Sequence, residues 1–226
     1  MILSGLMGLA GCVAGDDAAM DLKVAGTSPA SGGTWPADRS VVIRFDRYLS
    51  TSMDPAAMTL TSGERTVPVA PLYDPVERAL LVQPAEELVP GVAYTLTVQP
   101  GAVYGLDGQT LSEDLRLGFF ATSALPEPPA PRVDFERDLA PLFAGRCACH
   151  GPPRRQHPEL TEEGLIDRPS QRQPGALLVR PGLPMRSMLV RKLLPGYPGV
   201  PGEQMPPGDT LPASDLRRII DWIDTL

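Results

Sequence analysis

Over the first half of the chain, apolar and β-branched residues come in short bursts. These are Leu22–Ala25, Val41–Phe45, Met58–Leu60, Thr66–Ala70, Ala79–Gln83, Tyr94–Val98 and Leu115–Ala121. Ser-Pro, Gly-Gly, Asp-Pro, Pro-Gly and Asp-Gly pairs separate them, and each such pair favours a reversal of chain direction. Tyr94-Thr95-Leu96-Thr97-Val98 alternates apolar and polar side chains, the period of a strand with one buried face. Seven short strands with turn signals between them predict an all-β sandwich over residues 21–123.

The period changes in the second half. Phe135, Leu139, Leu142 and Phe143 recur at helical spacing and lead into a Cys-Ala-Cys-His run. Ser214–Ile223 predicts a C-terminal helix with Leu216, Ile219, Ile220 and Ile223 as its apolar stripe and Ser214 as N-cap. A shorter helix is expected around Ser187–Leu194, with proline-rich loops between. Residues 132–226 therefore read as a small, mostly helical domain, whose own side chains make a thin core at this size. Pro126, Pro128, Pro129 and Pro131 favour an extended polyproline spacer over residues 124–131. A spacer of that kind does not imply tight packing between the halves.

Charge divides along the same boundary. From Val13 to Leu125, 14 acidic residues outnumber 7 basic ones, whereas 13 of each follow from Pro126 onward. Neither half carries a Lys/Arg run that could track phosphates, so a nucleic-acid partner is not expected. Asp38, Asp46, Asp54 and Asp74 are expected to stabilise turns rather than to gather around calcium. No nucleophile–base pair, paired carboxylates or phosphate loop stands out, so independent enzymatic turnover is not expected.

The candidate chemistry lies at Cys147-Ala148-Cys149-His150, with Met205-Pro206-Pro207 farther along. Thiols running into a histidine suit covalent attachment of one c-type haem, with an imidazole beside the second thiol to bind the iron. A methionine thioether on the opposite face would complete six-coordination and raise the reduction potential. The usual attachment spacing is C-x-x-C-H, and this chain is one residue shorter. Two residues on a helix point roughly 200° apart, so Cys149 is the better placed thiol and Cys147 needs a distorted turn. Attachment through a single thioether stays open. So do a strained Cys147–Cys149 disulfide, a zinc site from Cys147, Cys149, His150 and His157, and a domain that has no haem.

Several segments carry family resemblances. Thr27-Ser28-Pro29-Ala30-Ser31-Gly32-Gly33, Val41-Val42-Ile43-Arg44-Phe45-Asp46, Val89–Val98 and Asp107-Gly108-Gln109-Thr110-Leu111 resemble bacterial Ig-like domains of secreted and surface-layer proteins. That resemblance implies a sandwich fold and is almost silent on function. Phe135–Leu142, Cys147–Gly151, Val179–Pro184, Ser187-Met188-Leu189, Met205–Gly208 and the Leu216–Ile223 helix resemble cytochrome-c-type domains. By that resemblance His150 is the proximal ligand and Met205 the distal one, with Met185, Met188 and His157 as weaker alternatives.

Leu9-Ala10-Gly11-Cys12 resembles a bacterial lipobox that closes a signal segment over residues 1–12, with Cys12 as the lipidated residue. The apolar stretch before it is too short to span a bilayer and has no basic start, so the true signal segment is expected to begin upstream. Lipidation implies export and a membrane partner reached through acyl chains, in the periplasm or at the cell surface. Val13 after the cysteine favours the outer membrane. The expected whole is a multidomain lipoprotein: an Ig-like stalk carrying a cytochrome-c-like domain, for electron transfer to an unidentified redox partner protein or for redox sensing. The alternative is a surface scaffold or adhesion lipoprotein with a haem-free cytochrome-like fold.

Overall fold

In the strand Val41–Phe45, residues Val41, Ile43 and Phe45 are buried while Val42 and Arg44 stay partly exposed. The same alternation buries Tyr94, Leu96 and Val98 in one strand and Leu117, Phe119 and Ala121 in its partner. Period-two burial of this kind needs a second apolar face to pack against. The computed structural model, which describes residues 21–124, 132–152 and 157–226, supplies it as a second sheet. Cys12 and the proline spacer, apart from Ala124, lie outside the described residues.

One sheet has the order β1 (Val24–Ser28), β3 (Val41–Phe45), β8 (Ala79–Pro84), β7 (Val69–Asp74), antiparallel throughout. The other has the order β2 (Thr34–Pro36), β11 (Leu115–Thr122), β9 (Ala93–Val98), β5 (Met58–Ser62), β6 (Arg65–Val67), with β2 parallel to β11. A two-stranded ribbon joins β4 (Leu49–Met53) to β10 (Val103–Gly105). Tyr94 and Phe119 face each other in register, their rings stacked 6.0 Å apart. The Tyr94 hydroxyl accepts the Val89 N–H at 3.0 Å, which ties the preceding loop to the core.

Six of the seven expected strands exist as single strands, most with shifted ends, and two corrections follow. Thr66–Ala70 is not one strand. The chain leaves one sheet after Val67 and enters the other at Val69, and Pro68, which has no N–H for a ladder, sits at the crossing. β2, β4 and β10 were not expected, because they are either three residues long or largely polar.

In the second half, a π-helical turn at Phe135–Leu139 leads into α1 (Ala140–Arg146). Asp134 caps it reciprocally. Its carboxylate accepts the Arg137 N–H at 2.8 Å, and its own N–H donates to Asp138 at 2.8 Å. Then come α2 (Glu162–Leu165), α3 (Met188–Leu193) and α4 (Ala213–Asp224). Ser214 is not the cap of α4. Pro212 precedes the helix and makes no side-chain cap bond. Proline's fixed φ and missing N–H suit a helix start without one. In the stripe of α4, Trp222 is buried with Leu216, Ile219 and Ile223, while Ile220 lies at its edge.

A second core joins these helices. Phe135 contacts Trp222 at 5.1 Å and Phe143 at 6.0 Å, and the surrounding aliphatic side chains are buried. The thin core expected from size alone is therefore filled by side chains.

The two halves also touch. Tyr48, which follows β3, is buried in the helical half's core, and Val76 packs beside it. Arg217 of α4 pairs with Asp74 at 2.8 Å and Glu77 at 3.4 Å. The proline spacer alone implied no such contact.

Candidate functional site

α1 delivers the cysteine pair. Its last N–H bond runs from Cys147 to the Phe143 carbonyl at 2.8 Å, after which the backbone leaves helical geometry at Cys147 (φ −123°, ψ 33°). A single tight turn, Ala148–His150, follows, with the His150 N–H on the Cys147 carbonyl at 2.9 Å. The distorted turn that a C-x-C-H spacing requires is thus present, and it falls at Cys147. That residue is half-buried against the helical core. Burial, and after it the neighbouring Cys149, push the Cys147 thiol above its ordinary pKa, so it is protonated at neutral pH. No disulfide links Cys147 to Cys149.

His150 is set by its ring. Its Nδ1 lies 2.9 Å from the Pro158 carbonyl oxygen. A carbonyl can only accept, so Nδ1 is the donor and carries a proton. A backbone carbonyl that accepts from the ring in this way is the usual support of a metal-binding histidine.

Met205 is half-buried on the same apolar cluster that receives Cys147. Its N–H donates to the Lys192 carbonyl at the end of α3, at 2.9 Å. The Lys192 ammonium donates to the carbonyls of Pro201 and Glu203, at 2.6 Å each, and the Gly196 N–H donates to the Gln204 side-chain oxygen at 3.1 Å. Met188 is a buried core residue and Met185 is packed at the core's margin.

His157 is exposed. Among the described residues no three His, Cys, Asp or Glu side chains gather as a metal shell, so the four-ligand zinc set does not assemble. The scattered aspartates behave as turn and ion-pair carboxylates. Asp54 accepts from Ala56, Asp74 from Val76 and Glu77, and Asp46 from Lys23 and Arg47. Arg47 holds Asp46 below the usual carboxylate range.

These residues suit a c-type haem in donor chemistry: two thiols at a bent turn, an imidazole held through Nδ1, and a thioether on the core that Cys147 joins. A cleft of about 710 Å³ lies between α1 and α4, with Arg132, Arg137, Arg146 and Arg218 on its walls, and none of the four candidate ligands lines it. Sequence reasoning missed Lys192 and Gln204, whose side chains tie the loop that ends at Met205, because nothing local marks either as a loop partner.

Among the described residues no helix is long and apolar enough to cross a membrane. No curated protein matches the chain. Among solved structures, the bacterial S-layer protein SbsC is 16% identical at a TM-score of 0.38, over 49% of this chain and 15% of its own. The methionine-rich copper resistance protein PcoC from Escherichia coli is 12% identical at a TM-score of 0.36, over 46% of this chain and 100% of its own. CopC from Methylosinus trichosporium OB3b is 18% identical at 0.34, over 47% and 99%. At family level, residues 18–122 match the bacterial Ig-like domain, whose span encloses both sheets and the ribbon. This stretch of the chain is a bacterial Ig-like domain.

Proposed function

We propose that the chain is an exported, lipid-anchored protein that uses its helical half as a cytochrome-c-like module for one-electron transfer or redox sensing. The observation that carries the reading is the bent Cys147–His150 turn, on which the His150 ring is held by its Nδ1 bond to the Pro158 carbonyl. When bound, one haem c would supply an iron centre that cycles between two oxidation states. Cys149 and, through its bent backbone, Cys147 would be the covalent attachments. His150 and Met205 would hold the iron. The Ig-like domain agrees with an exported site, and Cys12 would anchor the chain, with the outer membrane as its destination.

The test is an absorption spectrum of the full chain expressed with a c-type haem maturation system. A Soret band that survives acid–acetone extraction is expected. Its absence, with a control cytochrome matured in the same cells, would overturn the reading. The second reading, a surface scaffold with a haem-free fold, is favoured by the filled aromatic core of Phe135, Phe143 and Trp222.

A further inference from the structure

We propose that the Ig-like domain positions the methionine loop of the helical half through Tyr48. Tyr48 follows β3 and is 7% exposed, although the core that buries it belongs to the other half of the chain. Its hydroxyl donates to the Pro195 carbonyl at 2.6 Å, and its ring meets the Tyr197 ring at 5.1 Å. The Arg78 guanidinium sits 5.2 Å from the same ring. The backbone beside it is pinned too, since the Leu49 N–H donates to the Tyr73 hydroxyl at 3.1 Å.

Pro195 begins the loop that ends at Met205, and the loop is tied shut. Gly196 bonds Gln204, Lys192 holds the Pro201 and Glu203 carbonyls, and Met205 returns to the Lys192 carbonyl. The path from Tyr48 to Met205 is therefore short: Pro195, Gly196, Gln204, Met205. At the rim Arg217 adds its contacts to Asp74 and Glu77, so the two halves meet over more than one side chain. A sandwich that served only as a spacer would have no use for a buried tyrosine in its neighbour's core.

Tyr48 is thus a positioning residue, and its consequence for an iron ligand rests on the assignment of Met205 above. The test uses the full chain without cofactor and reads amide hydrogen exchange. Tyr48→Phe removes the hydroxyl bond and keeps the ring, and Tyr48→Ala removes both. Gly196 and Met205 amides are expected to exchange on the order of tenfold faster in Tyr48→Phe, the scale of one lost hydrogen bond, and faster again in Tyr48→Ala. The strand amides of β3 and β8 should hold their protection in Tyr48→Phe. Unchanged exchange at both loop amides in the two variants overturns the proposal. In haem-loaded protein, Tyr48→Phe should keep the Soret band while the methionine–iron charge-transfer band disappears at a lower pH than in the wild type. A band lost at the same pH as in the wild type would overturn the link to Met205. Should the wild type take up no haem, the cofactor assignment fails and the exchange result alone decides the role of Tyr48.

Discussion

The Nδ1–H of His150 donates to the carbonyl of Pro158 across 2.9 Å, and that bond fixes a proton on this ring nitrogen. Because a main-chain carbonyl supplies it, no side-chain replacement at position 158 removes the acceptor directly. The ring itself can be removed. His150→Ala in matured full-length protein is expected to abolish stable haem incorporation. Met205→Ala should keep covalent haem, lose the methionine–iron charge-transfer band and lower the reduction potential, since a soft thioether favours ferrous iron. Equal haem content in wild type and His150→Ala, read by pyridine haemochrome, would refute the ligand assignment.

The thiols should separate in the same assay. Cys147 sits where the backbone leaves the helix, and Cys149 lies within the turn that carries His150. Cys149→Ser is expected to remove most covalent haem and Cys147→Ser to remove less. The haemochrome band shifts with each vinyl left unsaturated. A wild-type band at the position of two saturated vinyls would show that the bend at Cys147 is enough for a second thioether.

Much of this was legible in the chain. Tyr94–Val98 carries the alternation of a strand with one buried face, and Tyr94, Leu96 and Val98 are the residues buried. The Cys147–His150 run stood out by residue type, and the structure places it on the bend that closes α1. What escaped depends on contacts distant in sequence. Tyr48 and Pro195 are 147 positions apart, and nothing local marks either as a partner. Ser214 looked like a cap because serine often is one, yet Pro212 starts the helix two residues earlier. The contact between the two halves, through Tyr48 and Arg217, could not be read from either half alone.

That contact gives the spacer a measurable behaviour. Limited proteolysis is expected to cut first within residues 124–131, and the two fragments should then co-elute at neutral pH. Separation on cutting would argue against the Tyr48 and Arg217 contacts. Acid should loosen them. Arg44, and after it Arg217, hold Glu77 below the usual carboxylate range. A carboxylate with a depressed folded pKa contributes above its unfolded pKa, and that contribution is lost as pH falls through the folded value. Glu77 is too exposed for a large effect, so less than about 1 kcal/mol is expected. Asp74, and Asp221 whose burial raises its pKa, also face Arg217, so the comparison is between wild type and Glu77→Gln. The variant should show a flatter acid limb of fragment association.

Anchoring can be tested separately. Cys12→Ser is expected to move the protein from the membrane fraction into the soluble exported fraction, because no acyl chain would hold it. Unchanged membrane association would refute lipidation at Cys12.

The aromatic core of the helical half makes the last prediction. Trp222 is buried on α4 and packs on Phe135, which also contacts Phe143, so three rings share one contact chain. Trp222→Ala removes the ring that joins α4 to the turn before α1 and leaves a cavity that neighbouring rigid rings cannot close. Such truncations cost roughly 3–5 kcal/mol. Trp35 lies in the Ig-like domain and stays as a local fluorescence reporter, its indole N–H bonded to the Ser40 carbonyl at 3.2 Å. In a denaturant titration the variant's helical transition, followed by far-ultraviolet circular dichroism, should move to lower denaturant while the Trp35 signal keeps its own midpoint. A helical transition unmoved by the loss of Trp222 would mean that these rings do not hold the core together.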